Sequence, residues 1–343
     1  MPAPLALAPN GVPDLTTYDV LAPQLSGGKD SAPMMAEFMT AARAAGVTDR
    51  VISYHSSLTV LEWPEIVFEG IRYPSVSELA ALQSAAFGVP PDRHVEVTRT
   101  MPGPDGSPIP RSLLTEIAAY GRFPRMGSPY CRKFAKEGVV SMHWTPIVHR
   151  LGRELGRPVR ILKIMGLRSA EGPDRRKRPP YQRVLTNSAR VVDEWLPIKD
   201  WSTDAVKEWH TSAPVPYCWT YDSVPGAGDW LGTSRCSCSL CVFASKPDVL
   251  LALGRRPRLA ALYAEVEQVR GDSFCADWRI TDLLRHAESC GAPDPGVVCP
   301  DDGPEFTALE DQVRAALKKE PRKEPELARG SGRALCDGCT AHS

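Results

Sequence analysis

No uninterrupted apolar run in these 343 residues approaches the roughly 20 that a membrane-spanning helix needs, so no part of the chain is expected to cross a bilayer. Residues 1–9 are rich in Ala and Pro but lack the basic start of a secretory signal, which favours a cytoplasmic location. Net charge is missing too. The 41 basic and 41 acidic side chains cancel, leaving no global field to draw in nucleic acid, although a local groove can still do so. The glycine-lysine stretch at residues 27–29 is not a GxxxxGK[ST] phosphate loop, which sets aside the commonest nucleotide motif.

Apolar residues make up 43% of the chain, enough for one large or two small domains with a real core. Cysteine is plentiful, with 10 in all. In a reducing compartment that number points to buried, metal-bound or redox-active thiols rather than structural disulfides, above all where Cys236, Cys238 and Cys241 cluster.

The first chemical centre is Ser26-Gly27-Gly28-Lys29-Asp30-Ser31, set between a short apolar segment and a helical pattern. Two glycines let backbone approach an anion closely, and the N–H groups that open the next helix present the positive end of its dipole. Lys29 adds a mobile charge. Asp30 and Ser31 are placed to cap the first turn, and Met34, Met35, Phe38, Ala41 and Ala42 read as its core face. A phosphate cradle is the reading; a Gly-Gly turn before a helix with a solvated lysine is the bland alternative.

Strand signals at residues 18–25, 50–55, 94–98 and 159–165 alternate with helical patterns at 76–86, 113–120 and 139–155. The first strand contains Pro23, which removes a ladder donor and weakens the assignment. The alternation predicts an α/β fold, a parallel sheet with helices on both faces and ligands at the carboxyl ends of the strands. Residues 100–110 read as a mobile flap, and Arg175 to Arg178 as either a solvated loop or a phosphate contact. Further helical patterns occupy 249–253, 259–269 and 280–287. From Ser289 onward Pro, Gly and charge dominate, apart from an amphipathic stretch at 306–317, and the chain ends beyond Cys336 and Cys339. The expected organisation is a loose arm over 1–17, an α/β domain over 18–230, a cysteine motif with a helical C-terminal part over 231–287 and a flexible tail over 288–343.

Taken in order, the motifs over residues 20–287 resemble the phosphoadenosine phosphosulfate (PAPS) reductase family, a branch of the PP-loop, adenine nucleotide alpha-hydrolase-like superfamily. They are the loop at 26–31; Glu62-Trp63-Pro64; Tyr130-Cys131 followed by Lys136; Gly166, Arg168, Glu171 and Arg175; Pro197-Ile198 with Asp200-Trp201; and Cys238 with Cys241. Ser57 stands where the family usually has an acidic residue, and a Glu-Cys-Gly-His nucleophile is not present as such.

The resemblance implies an adenine nucleotide, PAPS or ATP, bound by Ser26, Gly27, Gly28, Lys29, Asp30, Ser31, Gly166, Arg168 and Arg175, with Lys29, Asp30 and Arg168 in catalysis. If the ligand is ATP, Asp30 is a candidate water-mediated Mg²⁺ ligand. Three activities stay open: sulfur transfer from a sulfonucleotide to a thiol, ATP pyrophosphatase chemistry that adenylates an acceptor for sulfur insertion into nucleic acid, and a non-catalytic nucleotide-binding subunit. The partners implied are a thiol reductant or sulfur-donor protein, or a nucleic acid. Cys131, Cys236, Cys238 and Cys241 are the candidate metal ligands; four thiolates suit zinc or an iron–sulfur cluster, and the resemblance favours [4Fe–4S]. Cys131, Cys238 and Cys241 are expected to face a common pocket near the loop, because gathered thiolates repel one another unless a cation holds them.

Overall fold

The apolar run at residues 20–25 becomes an interior strand of a six-stranded sheet in the computed structural model, which describes residues 7–9, 11–213, 215–236, 238–290 and 293–327. The strands are β1 (Val20–Leu25), β2 (Ser53–Ser56), β3 (His94–Val97), β4 (Val159–Met165), β5 (Tyr181–Thr186) and β6 (Arg190–Trp195). Across the sheet they lie in the order β3-β2-β1-β4-β6-β5, and all neighbours are parallel except β6 and β5. With their helices they form one unit, Met1–Ser56, Ser77–Val97 and His143–Tyr217. The α/β expectation of a parallel sheet flanked by helices holds for this unit, with one correction: the edge is an antiparallel hairpin. Its turn is fixed by Asn187, whose side-chain oxygen accepts from the N–H groups of Ala189 and Arg190 at 3.0 and 2.8 Å.

Pro23 does sit in an interior strand, and the ladder shows how. On the β4 side β1 pairs continuously from Val20↔Ile161 to Gln24↔Met165. On the β2 side a bridge at Leu21↔Val51 gives way to regular pairing only at Gln24↔Tyr54. Residues 21 and 23 face the same neighbour, since Ile52 N–H donates to the Leu21 carbonyl, so the donor that proline lacks falls in this gap.

The helix α1 (Ser31–Ala44) follows directly and buries Met34, Met35, Phe38, Met39 and Ala42 with Leu21, Leu25, Leu162, Ile164 and Trp195. Each such side chain contributes about 1.5–3 kcal/mol relative to exposure. Leu15 belongs to the same core, and Asp14 caps the turn Leu15–Thr17 by accepting from Thr16 N–H at 3.1 Å. The described part of the expected loose arm is therefore packed, because its apolar side chains find the core.

The second unit, Ser57–Val76, Thr98–Met142 and Cys218–Ser343, is described through residue 327, and its regular structure is mostly helical. Its helices include Leu113–Tyr120, Tyr130–Ala135, Lys246–Arg255, Pro257–Arg270, Ile280–Cys290 and Pro304–Leu317, with short hairpins at residues 66–73 and 100–110. Buried arginines staple its loops. Arg255 donates to the carbonyls of Thr220, Asp222, Ser223 and Pro295, and Arg256 pairs with Asp301 at 2.6 Å. The buried Glu267 accepts from the N–H groups of Phe274, Ile280 and Thr281, closing the loop between two helices.

The expectation of a flexible tail from residue 288 is corrected over the described part. The helix Pro304–Leu317 buries Phe306, Leu309 and Val313, and the Arg258 guanidinium lies 4.7 Å over the Phe306 ring. Amphipathic spacing outweighed the charged composition around it. Cys336 and Cys339 lie outside the described residues. Phe306→Ala should destabilise this unit by about 3–5 kcal/mol, read from urea unfolding; an unchanged midpoint would mean that the helix is not docked.

Candidate functional site

The strand order reverses at β1. From it the chain steps outward through β2 and β3, then returns to place β4 on its other side. Parallel α/β sheets bind ligands outside the carboxyl ends of the strands at such a reversal. Here the two segments that meet there are residues 26–31, after β1, and Gly166 to Arg168, after β4.

The loop is stitched by its own serines. Ser31 Oγ accepts from Ser26 N–H at 2.9 Å and shares a hydrogen bond with Ser26 Oγ at 3.0 Å. Gly28 N–H donates to Ser26 Oγ at 3.3 Å. Gly27 has φ +65°, a backbone that only glycine adopts without cost. The turn then delivers the first N–H groups of the 14-residue α1 to the end of β1.

Asp30 occupies the N-cap position but makes no side-chain cap, which corrects the expected capping role. Its carboxylate is taken by Arg168, whose Nε donates to Oδ1 at 2.6 Å, while Lys29 Nζ lies 3.7 Å from Oδ2. Both oxygens therefore face cations. Arg168 is only 2% exposed and also donates to the Trp201 carbonyl and to Thr203 Oγ1 at 3.3 and 3.4 Å. It shapes the loop from behind. Gly166 permits the contact: a Cβ there would meet the Asp30 carbonyl oxygen at 2.6 Å, inside any real van der Waals approach.

Arg175 is paired with Glu171, whose other bond is to the Arg168 N–H at 2.8 Å. In the basic run that follows, Arg178 grips the buried Glu194 at 2.7 and 2.9 Å. The run is thus neutralised in part from within. A shallow groove of about 610 Å³ lies along the helix Thr203–Ser212, lined by Asp200, Trp201 and Trp209 among others, and contains no residue of the loop.

Sequence reasoning missed His210. It sits on that helix, is buried, and its Nε2 lies 2.7 Å from the Lys29 carbonyl. A carbonyl only accepts, so Nε2 carries the proton. Burial lowers the His210 pKa below the ordinary 6.5 despite the bond to Lys29. The helical spacing of His210 carries no signal for this contact, which depends on tertiary packing.

The candidate metal ligands belong to the second unit. Cys131, Cys238 and Cys241 line one cavity of about 20 Å³ with Leu113, Ile117, Leu240 and Tyr263 among its walls, space for about one water. Cys236 is buried but does not line it. Burial, with the neighbouring Cys241, pushes Cys131 up to about 11 and raises Cys238 further. Among the described residues no group of three or more His, Cys, Asp or Glu is arranged to hold a metal ion. Three of the four candidate thiols thus share one cavity. Ser57 accepts from Thr59 N–H at 3.2 Å and serves a turn.

Gly166→Ala should force β4 and the loop apart, costing about 1–3 kcal/mol and accelerating amide exchange in the first turn of α1. The His210 shift carries a sign. A depressed folded-state pKa contributes stability above the unfolded value, and that stability is lost as pH falls through the folded value. Stability of this unit should therefore decline below about pH 6.5, and His210→Gln should flatten that part of the profile in pH-dependent urea titrations.

Compared with known proteins, the chain matches no family model and no curated protein.

Proposed function

We propose that this chain is a PAPS-reductase-like enzyme. It binds an adenine sulfonucleotide at residues 26–31 and carries out sulfur transfer, in which an incoming thiol takes the sulfuryl group and the adenine nucleotide leaves. One observation carries the reading: a glycine turn that opens a 14-residue helix lies at the carboxyl end of β1, where the strand order reverses, with Lys29 beside it. Backbone N–H groups and a helix dipole at that place suit a phosphate.

In this reading each residue has a physical task. Gly27 and Gly28 let the backbone come within reach of the phosphate, and Lys29 offsets the negative charge that grows on the leaving nucleotide. Ser26 and Ser31 hold the turn in shape through their mutual bond. Arg168 and Gly166 position Asp30 and so the start of the helix. The pairing of both Asp30 oxygens with cations favours a sulfonucleotide over Mg·ATP, since a Mg²⁺-bound ligand would compete with Arg168 and Lys29 for that carboxylate. The thiol comes from a partner or small reductant, as the chain carries no Glu-Cys-Gly-His segment.

Lys29→Ala should weaken PAPS binding at least tenfold in calorimetry. Incubation of the intact protein with PAPS and a dithiol should release sulfite. Release of pyrophosphate from ATP without sulfite from PAPS would move the assignment to acceptor adenylation, and no binding of any adenine nucleotide would end it.

A further inference from the structure

Outside the nucleotide loop, the second unit gathers three arginines around one glutamate. Arg99 and Arg111 stand at the two ends of the hairpin at residues 100–110, tied by the Arg111 N–H bond to the Arg99 carbonyl at 2.8 Å. Both guanidinium groups lie against the ring of the buried Phe134, at 5.6 and 5.8 Å from its centre. That apolar floor and the hairpin hold them side by side.

The group they hold is Glu326. Arg99 donates to Oε1 at 3.1 Å and Arg111 to Oε2 at 2.7 Å, and Arg322 adds a bond to Oε2 at 2.9 Å. Glu116, fully buried, is the other carboxylate present; it accepts from Arg111 at 2.6 Å, from Arg322 at 2.5 Å and from the Glu326 N–H at 2.7 Å. Three cations thus face two carboxylates, and one carboxylate alone once Glu326 leaves. Arg99 and Arg111 are enclosed, with side chains 11% and 12% exposed, whereas Glu326 is 49% exposed. The receptor is built into the fold and its occupant is a surface residue.

We propose that the pocket of Arg99 and Arg111 is a binding site for a phosphate group, held in this conformation by Glu326 as an internal substitute. The donor inventory favours phosphate over another carboxylate. Arg99 keeps donors to spare, since the buried Nε–H on the edge whose Nη2 binds Glu326 finds no acceptor among the described residues. A carboxylate has two oxygens, both already used, while a phosphate brings a further one to that surplus of donors. The arginines also hold the Glu326 carboxyl below the ordinary carboxylate range, the Arg111 bond first among the causes. The occupant is therefore an anion at neutral pH, as a stand-in for phosphate must be. Ligand binding would displace the Glu326 carboxylate from Arg99 and Arg111, while the Glu326 N–H and Arg322 stay tied to Glu116.

The test is calorimetric titration with inorganic phosphate in a Lys29→Ala background, which silences the loop at 26–31 and keeps the result independent of its assignment. Glu326→Ala should bind phosphate at least tenfold tighter than its parent, Glu326→Gln should change in the same direction, and adding Arg99→Ala should abolish the gain. Equal affinity in the Glu326 variants and the parent, or a gain that survives Arg99→Ala, would overturn the site and leave Glu326 as a structural latch.

Discussion

The Asp30–Arg168 ion pair is the interaction on which the first unit's loop geometry rests. A guanidinium that is 2% exposed has no water to solvate it, so its counter-charge must come from the protein, and removing one partner of such a pair costs about 3–5 kcal/mol. Asp30 belongs to the segment after β1 and Arg168 to the segment after β4, so the pair can form only if those strands are neighbours in register. Gln24↔Met165 is the last rung before both turns, and Gly166 removes the one side-chain atom that would hold them apart. The pair thus joins the two loops that leave β1 and β4 where the strand order reverses.

The same requirement explains why Pro23 is tolerated. Its missing donor faces β2, where the ladder is interrupted, while pairing with β4 is unbroken across the strand. The side that must stay in register for Asp30 to meet Arg168 is the side proline does not touch. His55 then ties the other edge, its Nδ1 donating to the Leu25 carbonyl at 3.0 Å, so the strand end is held from both neighbours just before the glycine turn.

Periodicity made the parallel strands and the long helices readable, and the glycine loop was readable because φ +65° at Gly27 demands a particular residue. What could not be read was partnership. Nothing local distinguishes an Asp30 that caps from one that pairs with a residue 138 positions away, and the helix Thr203–Ser212 gives no hint that His210 reaches the Lys29 carbonyl. The β5–β6 hairpin was hidden by the basic run before it, which drew attention to charge where Asn187 was setting a turn. The described end of the chain was misread in the opposite sense: composition spoke for a tail, while three side chains at helical spacing, Phe306, Leu309 and Val313, were enough to dock it.

The cysteines show how protonation changes an argument built on spacing. Four thiolates in one place would repel, which from sequence makes a cation seem necessary. In the folded chain the walls around Cys131, Cys238 and Cys241 are apolar, and burial outweighs the nearby Lys136 and Arg132, pushing Cys131 up to about 11. Burial favours the protonated form of Cys131 and Cys238, and neutral thiols pack as small hydrophobes without mutual repulsion. Desolvation therefore offsets part of that repulsion, and a metal that bound here would displace protons from these thiols.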